Sequence, residues 1–426
     1  MTATRRPRGV VILGSTGSIG TQALDVISRN EEDFVVLGLG AGGAQVALLA
    51  EQAARFHVPA VGVASERARG ELDQALKSVG HRGASIFAGP NAMADLASQW
   101  NEYGREALVS VGLNQPIADD VVVLNGITGS VGLVPTLAAL RSGALLALAN
   151  KESLVVGGGL IADAMTRPGQ IVPVDSEHSA IAQALRSGVH HRGLTSSLQD
   201  GASEVRRIIL TASGGPFRGK HRRELGSVTP QQALNHPTWA MGPVVTINSS
   251  TLMNKGLELI EAAYLFDVPP VDIIPVVHPQ SVVHSMVEFR DGATVAQASP
   301  PDMRLPIALG LSWPERLSDV SVPNSWASPV NWTFEPLDLE TFPAVSLARH
   351  SVATSALHPA VMNAANEECV AAFLNGQIGY LDIVDTVEEV LGEFTAPQST
   401  LDLETVLGTE DWARHRAHDV MTRRAR

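Results

Sequence analysis

Two acidic residues close together in the sequence, Asp175 and Glu177, follow the apolar run 171–174. Such a run is typical of a buried strand, so both carboxylates are expected at a strand end. Like charges at this separation repel each other unless a cation lies between them. Carboxylates with no cluster of Cys or His ligands near them in the sequence favour a hard divalent cation such as Mg²⁺ or Mn²⁺. The alternative is a helix start, with Asp175 or Ser176 as N-cap and Glu177 in the first turn.

A second polar group lies on the predicted helix 249–263. Four polar side chains fall within about 80° of one another on a helical wheel: Thr251, Asn254, Glu258 and Glu261. A polar stripe usually faces water. Here Asn254 and Lys255, just after Ser249, also suit a phosphate-binding cradle, and Glu258 one turn further is the third candidate metal ligand.

Between these groups lie a glycine-rich stretch, 213–220, and the sequence NHPTWAMGP at 235–243. Trp239 and Met241 are flanked by proline and glycine and follow no clear period, which favours a mobile lid. A loop anchored by one buried Trp is the alternative. His236, taken alone, is more often structural than catalytic.

Three glycines, Gly14, Gly17 and Gly20, occur in GSTGSIG between a β-branched run and an amphipathic segment. In this context the spacing indicates a dinucleotide-binding loop, where the backbone approaches a pyrophosphate at a helix N-terminus. Two residues separate Gly14 from Gly17, one more than in the commonest form of the motif, G-x-G-x-x-G. Glycines that serve only the turn are the alternative.

The predicted second strand is followed by Gly42 and Gly43. NAD-binding proteins usually place Asp or Glu here for the ribose hydroxyls, and its absence favours NADP because no carboxylate repels the 2′-phosphate. Neither Arg nor Lys occurs at this turn. The candidate contacts are therefore the backbone N–H groups of Gly42 and Gly43, together with Gln45.

Length and composition limit the class of protein. A chain of 426 residues predicts two or three domains, and a net charge of −13 argues against a nucleic-acid partner. The single cysteine, Cys369, excludes an internal disulfide and favours a reducing compartment. No apolar run reaches the roughly 20 residues of a membrane span, and no signal-peptide pattern precedes the first strand. We therefore expect a cytoplasmic protein with no membrane partner.

The chain divides into four predicted segments. Residues 1–150 alternate short β-branched runs with helical segments, which predicts a Rossmann-type parallel sheet. Residues 151–300 mix strands and helices, which indicates a central α+β catalytic domain with the lid. Residues 301–330 are rich in Pro and Ser, as in a linker. Residues 331–426 show helical spacing and predict a C-terminal helical bundle, so that the fold class is α/β.

Seven motifs together resemble one family: GSTGSIG, LANKESLV, PVDSEHSAI, TASGGPFR, NHPTWAMG, TLMNKGLELIEA and HPQSVVHSMV. They are similar to the motifs of the 1-deoxy-D-xylulose 5-phosphate reductoisomerase family. The resemblance implies an NADPH-dependent enzyme that requires a divalent cation (Mn²⁺, Mg²⁺ or Co²⁺), acts on a small sugar phosphate and is commonly a homodimer. It also implies a nucleotide domain, a catalytic domain with a lid, and a C-terminal helical domain.

The resemblance further implies roles for individual residues. The metal ligands would be Asp175, Glu177 and Glu258. The catalytic residues would be Lys151, Glu177, His236 and Glu258. The substrate contacts would be Lys151, Ser176, Glu177, Ser213, His236, Ser249, Asn254, Lys255 and Glu258, with Ser213, Ser249, Asn254 and Lys255 around the phosphate. The cofactor would be lined by Thr16, Gly17, Ser18, Ile19, Asn150, Glu152 and Gly242. Trp239 and Met241 would belong to the lid.

One departure affects cofactor recognition. Where many members carry a basic residue followed by Asn, this chain has Gly43 and Ala44. Recognition of the 2′-phosphate therefore cannot be transferred side chain by side chain.

The reaction implied by the resemblance converts 1-deoxy-D-xylulose 5-phosphate to 2-C-methyl-D-erythritol 4-phosphate in the non-mevalonate isoprenoid pathway. Two other functions remain open at this point. A metal-free NAD(P)-dependent dehydrogenase of the semialdehyde or homoserine type would leave Asp175 and Glu177 without a role. A redox-sensing NADP-binding regulator would bind the cofactor without turnover.

Overall fold

The computed structural model describes residues 7–113, 117–235, 242–398 and 400–424. The chain forms two compact units, each built from three chain segments. The first unit is Met1–Ser153, Asp163–Ser179 and Asp302–Val322. The second unit is Leu154–Ala162, Ala180–Pro301 and Pro323–Arg426.

Short strands and helices alternate along the first part of the chain, and helices dominate its last part. Within the described residues the strands are β1 Arg8–Leu13, β2 Phe34–Ala41, β3 Ala60–Val63, β4 Ser85–Ala88, β5 Val121–Asn125, β6 Leu145–Leu148, β7 Ile171–Pro173, β8 Val205–Ala212, β9 Ile273–Val277, β10 Val283–Phe289, β11 Thr294–Ala298 and β12 Glu335–Pro336. The α-helices there are α1 Ser18–Ser28, α2 Val46–Arg55, α3 Arg69–Ser78, α4 Ala92–Ser98, α5 Trp100–Tyr103, α6 Arg105–Ser110, α7 Leu133–Arg141, α8 Lys151–Ala164, α9 Ser176–Leu185, α10 Pro230–Ala233, α11 Pro243–Ser250, α12 Met253–Phe266, α13 Arg304–Ser312, α14 Ala344–Thr354, α15 His358–Leu374, α16 Tyr380–Glu393 and α17 Leu403–Arg424.

The first unit contains a seven-stranded sheet in the order β4-β3-β2-β1-β5-β6-β7, in which every pairing is parallel. Its strands are nearly continuous apolar runs, as expected for a sheet covered on both faces; four consecutive β1 residues, Val10–Leu13, are fully buried. The strand order changes direction between β1 and β5. Sheets of this kind bind dinucleotides at that point, beyond the carboxyl ends of the strands.

Helix α13 lies in the segment 301–330, which we predicted as a linker from its Pro and Ser content. Its sequence RLPIALGLS is strongly apolar, and both Ile307 and Leu311 are buried in the hydrophobic core of the first unit. Burial of such side chains stabilises a helix more than local composition disfavours it. Part of the segment thus packs as core, and the four domain boundaries stay a prediction.

The second unit contains a five-stranded mixed sheet in the order β11-β10-β8-β9-β12. Strands β8 and β9 are parallel, and the other pairs are antiparallel. Helices α14 to α17 form the predicted C-terminal helical region, with Phe373, Val387 and Ala413 buried among them. The α/β fold class, with a parallel sheet, a second mixed sheet and C-terminal helices, agrees with the prediction. Among the described residues, no helix is both long and apolar enough to cross a bilayer.

Candidate active site

The acidic pair Asp175 and Glu177 lies at the carboxyl end of β7, in the first unit. Lys151 Nζ donates a hydrogen bond to Asp175 Oδ2 at 2.7 Å, and these two side chains are only 13% and 18% exposed. One oxygen of Glu177 lies within 4.8 Å of one oxygen of Asp175. The ammonium group of Lys151 therefore offsets part of the repulsion between the two acids.

The helix start that we kept as an alternative is also present. Helix α9 begins at Ser176, and the Glu177 N–H donates to Asp175 Oδ1 at 3.3 Å. The Ser176 hydroxyl donates to the Glu177 carboxylate. A carboxylate accepts several bonds through its two oxygens, so this helix start is compatible with metal binding by the same residues.

In the second unit, Glu258 lies on α12, where it is 1% exposed. Asn254 Nδ2 donates to one Glu258 oxygen and Lys255 Nζ donates to the other. Because a buried carboxylate without partners costs several kcal/mol, these contacts hold Glu258 in the interior as an ion. Asn254 and Lys255 were predicted as phosphate contacts, and the structure places them against Glu258.

The loop after β8 contacts the end of α11, in the same unit. A Cβ added to Gly215, whose φ is +66°, would lie 2.8 Å from the Ser249 carbonyl oxygen. Ser213 Oγ accepts a hydrogen bond from the Gly215 N–H at 3.3 Å. The segments that carry two of the predicted phosphate contacts, Ser213 and Ser249, are thus neighbours. Leu252, between α11 and α12, has a left-handed φ of +60°, a conformation that costs a residue other than glycine about 1–3 kcal/mol.

In the first unit, the glycine loop after β1 packs closely against the loop after β5. A Cβ on Gly14, whose φ is +88°, would lie 2.8 Å from the Gly126 carbonyl oxygen, and one on Gly20 would lie 2.4 Å from the Gly14 oxygen. Helix α1 begins with Gly17 as N-cap and has no side-chain cap. No side chain therefore caps its first N–H groups, and the pyrophosphate contact at this helix start stays a prediction.

The turn after β2 carries no side chain that could reject a phosphate. A Cβ on Gly42 would meet no atom within 4 Å, whereas one on Gly43 would lie 3.4 Å from Ser65 Cβ and 3.3 Å from Ala68 Cβ. The 3₁₀ turn Glu66–Ala68 therefore packs directly against the place where a 2′-phosphate is expected. Arg67 lies in this turn and is exposed.

Models of this family match most of the chain. A 1-deoxy-D-xylulose 5-phosphate reductoisomerase model matches residues 10–158, and two models described as C-terminal domains of the same enzyme match residues 171–266 and 298–416. The 1-deoxy-D-xylulose 5-phosphate reductoisomerase of Beutenbergia cavernae is 58% identical over 96% of this chain and 96% of its own length. The chain belongs to the 1-deoxy-D-xylulose 5-phosphate reductoisomerase family.

Solved structures of reductoisomerases share the fold. The Zymomonas mobilis reductoisomerase in complex with NADPH is 40% identical, with a TM-score of 0.81, over 97% of this chain and 99% of its own. A DOX-P reductoisomerase in complex with NADPH, fosmidomycin and magnesium is 33% identical, with a TM-score of 0.83, over 97% and 98%. Each likeness covers residues of both units of the chain.

Some predicted site residues cannot be placed. His236, Trp239 and Met241 lie outside the described residues, so their roles in catalysis and in the lid stay predictions. Gly242 is described and forms the N-cap of α11.

Two residues near the site were not found from the sequence. His178 is fully buried, with Nδ1 3.6 Å from Asp175 Oδ1; the available signal was its position three residues after an acid at a helix start. Arg67 was not considered, because we searched only the end of β2 for a basic side chain, and Arg67 follows β3. The spacing of ASERARG after an apolar strand was the signal.

Proposed function

We propose that this chain catalyses the NADPH-dependent rearrangement and reduction of 1-deoxy-D-xylulose 5-phosphate to 2-C-methyl-D-erythritol 4-phosphate, with a divalent cation. The observation that carries the proposal is the match to reductoisomerases along almost the whole chain, at 58% identity for one relative. Solved relatives are described with NADPH and with magnesium. A metal-free dehydrogenase would leave the Asp175 and Glu177 carboxylates without a role.

The donor set fits a hard cation. Asp175 and Glu177 bring one oxygen each within 4.8 Å, and Glu258 offers a third carboxylate on α12. Carboxylate oxygens are the ligands that Mg²⁺ and Mn²⁺ prefer. We assign these three residues as metal ligands, an assignment that rests on the family resemblance and on the donor chemistry within each unit.

A bound divalent cation would polarise the oxygens of the substrate, and NADPH would supply the reducing equivalent. Lys151 orients Asp175 through their 2.7 Å hydrogen bond and moves a proton to or from a substrate oxygen. Asn254 and Lys255 fix the Glu258 carboxylate. The phosphate is contacted by Ser213, Ser249, Asn254 and Lys255, as the resemblance implies, and its binding energy orients the reacting carbons.

Arg67 is proposed as the residue that recognises the 2′-phosphate of NADPH. In the part of the chain that the structure describes, no carboxylate forms an ion pair with it. We expect Arg67→Gln to weaken NADPH binding by about 10- to 100-fold, the loss of one charge-assisted hydrogen bond, while NADH binding stays unchanged. Titration of protein fluorescence with each nucleotide measures this.

The matched control for Arg67 is Arg105→Gln. Arg105 is also exposed in the first unit, but its helix α6 packs through Leu108 against Gly9, at the amino end of β1. Equal losses of NADPH and NADH affinity in the Arg67 variant would contradict the assignment.

One assay tests the function as a whole. Oxidation of NADPH is followed at 340 nm with 1-deoxy-D-xylulose 5-phosphate after chelation, and then with added Mg²⁺ or Mn²⁺. We expect no turnover in the chelated enzyme and recovery with either ion. Turnover that persists under chelation would favour the metal-free dehydrogenase, and NADPH binding without turnover under any condition would favour the regulator.

A homodimer is a further proposal from the family resemblance. In the second unit, Trp326 is 69% exposed, and its ring lies 5.9 Å from that of Trp332. Exposed aromatic patches of this kind often mark protein interfaces. The cytoplasmic location stays a prediction from the sequence.

A further inference from the structure

A chain of buried polar side chains joins β5, α7 and α8 within the first unit. Asn125 Nδ2 donates to Thr136 Oγ1 at 2.8 Å, and Thr136 Oγ1 donates to Ser153 Oγ at 3.1 Å. The Ser153 hydroxyl in turn donates to Asn150 Oδ1. These four side chains are at most 1% exposed. Each hydroxyl accepts one bond and donates one, so the donors run in one direction from Asn125 to Asn150.

Both ends of this network hold the loop 126–132. Asn125 Oδ1 accepts from the Ile127 N–H at 3.1 Å, and Asn125 Nδ2 also donates to the Gly132 carbonyl at 3.1 Å. From the other end, Asn150 Nδ2 donates to the carbonyls of Ile127 and Gly129 at 2.8 and 2.9 Å. The loop thus takes its shape from these two asparagine side chains.

The network lies between two parts of the proposed site. On one side, the Gly126 N–H donates to the Leu13 carbonyl at 2.9 Å, and Gly126 packs against Gly14 of the nucleotide loop. On the other side, Asn150 directly precedes Lys151, the residue that holds Asp175. A shift of the network would therefore move the nucleotide loop and the catalytic lysine together.

Apolar side chains could fill this space without the free-energy cost of removing polar groups from water. Buried polar groups offset that cost only when all of them are hydrogen-bonded. Each of the four side chains in the network is hydrogen-bonded. The side chains of the two asparagines at its ends bond to the loop 126–132 and, among the described residues, not to the neighbouring strands. We infer that Asn125, Thr136 and Ser153 are positioning residues, which set the cofactor loop and Lys151 in one arrangement. The inference rests on the proposed function, since it assigns these residues to NADPH binding and turnover.

The test replaces Thr136 by valine, which keeps the shape of the side chain and removes both hydroxyl bonds. We expect the Kd for NADPH, measured by fluorescence titration without substrate or added metal, to rise about 5- to 100-fold, as for a buried hydrogen bond left open. We expect kcat to fall as well, and KM for the sugar phosphate to change little. Thr136→Ser restores the hydroxyl and should restore both values.

Gln170→Met is the matched control. Gln170 is buried in the same unit, where its Nε2 donates to the carbonyls of Leu140 and Ala144 at 2.7 and 2.9 Å, at the amino end of β7. This variant should lower the thermal midpoint of unfolding and leave the Kd for NADPH unchanged. It measures how the loss of a buried hydrogen bond changes stability at a residue that positions neither the nucleotide loop nor Lys151.

Ser153→Ala covers the case in which the Thr136 variant does not fold, because alanine is well tolerated in helices. It should change the Kd and kcat in the same direction. If Ser153→Ala and Thr136→Val lower only the thermal midpoint, like Gln170→Met, the inference is overturned. If the wild-type protein itself neither binds NADPH nor turns over, the proposed function fails instead.

Discussion

Replacing Glu258 by glutamine is expected to abolish turnover, with kcat reduced by at least about 10³-fold, while NADPH binding persists. The change removes a metal ligand, and the bound cation would then polarise the substrate oxygens less effectively. Loss of one such electrostatic contact in the transition state costs this order of rate. Glutamine keeps an oxygen that can accept from Lys255, so the fold should survive the loss of the buried charge. Steady-state NADPH oxidation at saturating Mg²⁺ measures the rate, and Mn²⁺ binding followed by electron paramagnetic resonance measures the metal site.

Glu410→Gln provides the control for this variant. Glu410 is also a buried helical glutamate, 4% exposed, and it pairs with Arg414 at 3.5 Å on the C-terminal helix α17. We expect this change to lower stability modestly and to leave kcat unchanged. Wild-type turnover in the Glu258 variant at an ordinary Mg²⁺ concentration would contradict the assignment of Glu258 as a metal ligand.

The second large effect is expected for Lys151→Met. Methionine retains the apolar length of the side chain but removes the ammonium that donates to Asp175. Loss of a general acid or base costs about 10²- to 10⁴-fold in rate, and Asp175 would lose its fixed orientation. We expect kcat to fall within this range, with the Kd for NADPH within a few-fold of wild type.

Lys77→Met is the corresponding control, because Lys77 pairs with Asp73 on the exposed surface of α3. Exposed pairs of this kind contribute about 0–1 kcal/mol to stability, so neither rate nor fold should change. A Lys151 variant with normal kcat and a strongly weakened NADPH affinity would move this lysine from the chemistry to the cofactor site.

The sequence alone was sufficient for much of the first unit. Its strands are short, apolar and separated by amphipathic segments, which predicts a parallel sheet without knowledge of any contact. The glycine loop was also predictable, because Gly14 must adopt a positive φ and Gly20 leaves no space for a Cβ. Both features follow from residues that are close together in the sequence, and neither requires knowledge of distant contacts.

Other features depend on contacts between distant residues. The hydrogen bond from Lys151 to Asp175 joins residues 24 positions apart, and no periodicity indicates it. The bonds of Asn254 and Lys255 to Glu258 follow helical spacing, but the residue types indicated only a phosphate contact, which stays a prediction. The burial of α13 was missed because composition at its flanks, rather than the apolar sequence RLPIALGLS, decided the linker prediction.

The C-terminal helices contact the backbone that carries the predicted phosphate residues. Tyr380 Oη donates to the Ser250 carbonyl at 2.7 Å, and burial raises the pKa of Tyr380, which keeps this donor protonated. Asn366 Nδ2 donates to Asn248 Oδ1 at 3.0 Å. A shortened version of the chain that ended before α15 would retain every side chain assigned to metal, nucleotide or sugar phosphate. It would nevertheless lack Asn366 and Tyr380, which brace Asn248 and Ser250, so expression trials aimed at a minimal enzyme should leave the residues from α15 onward in place.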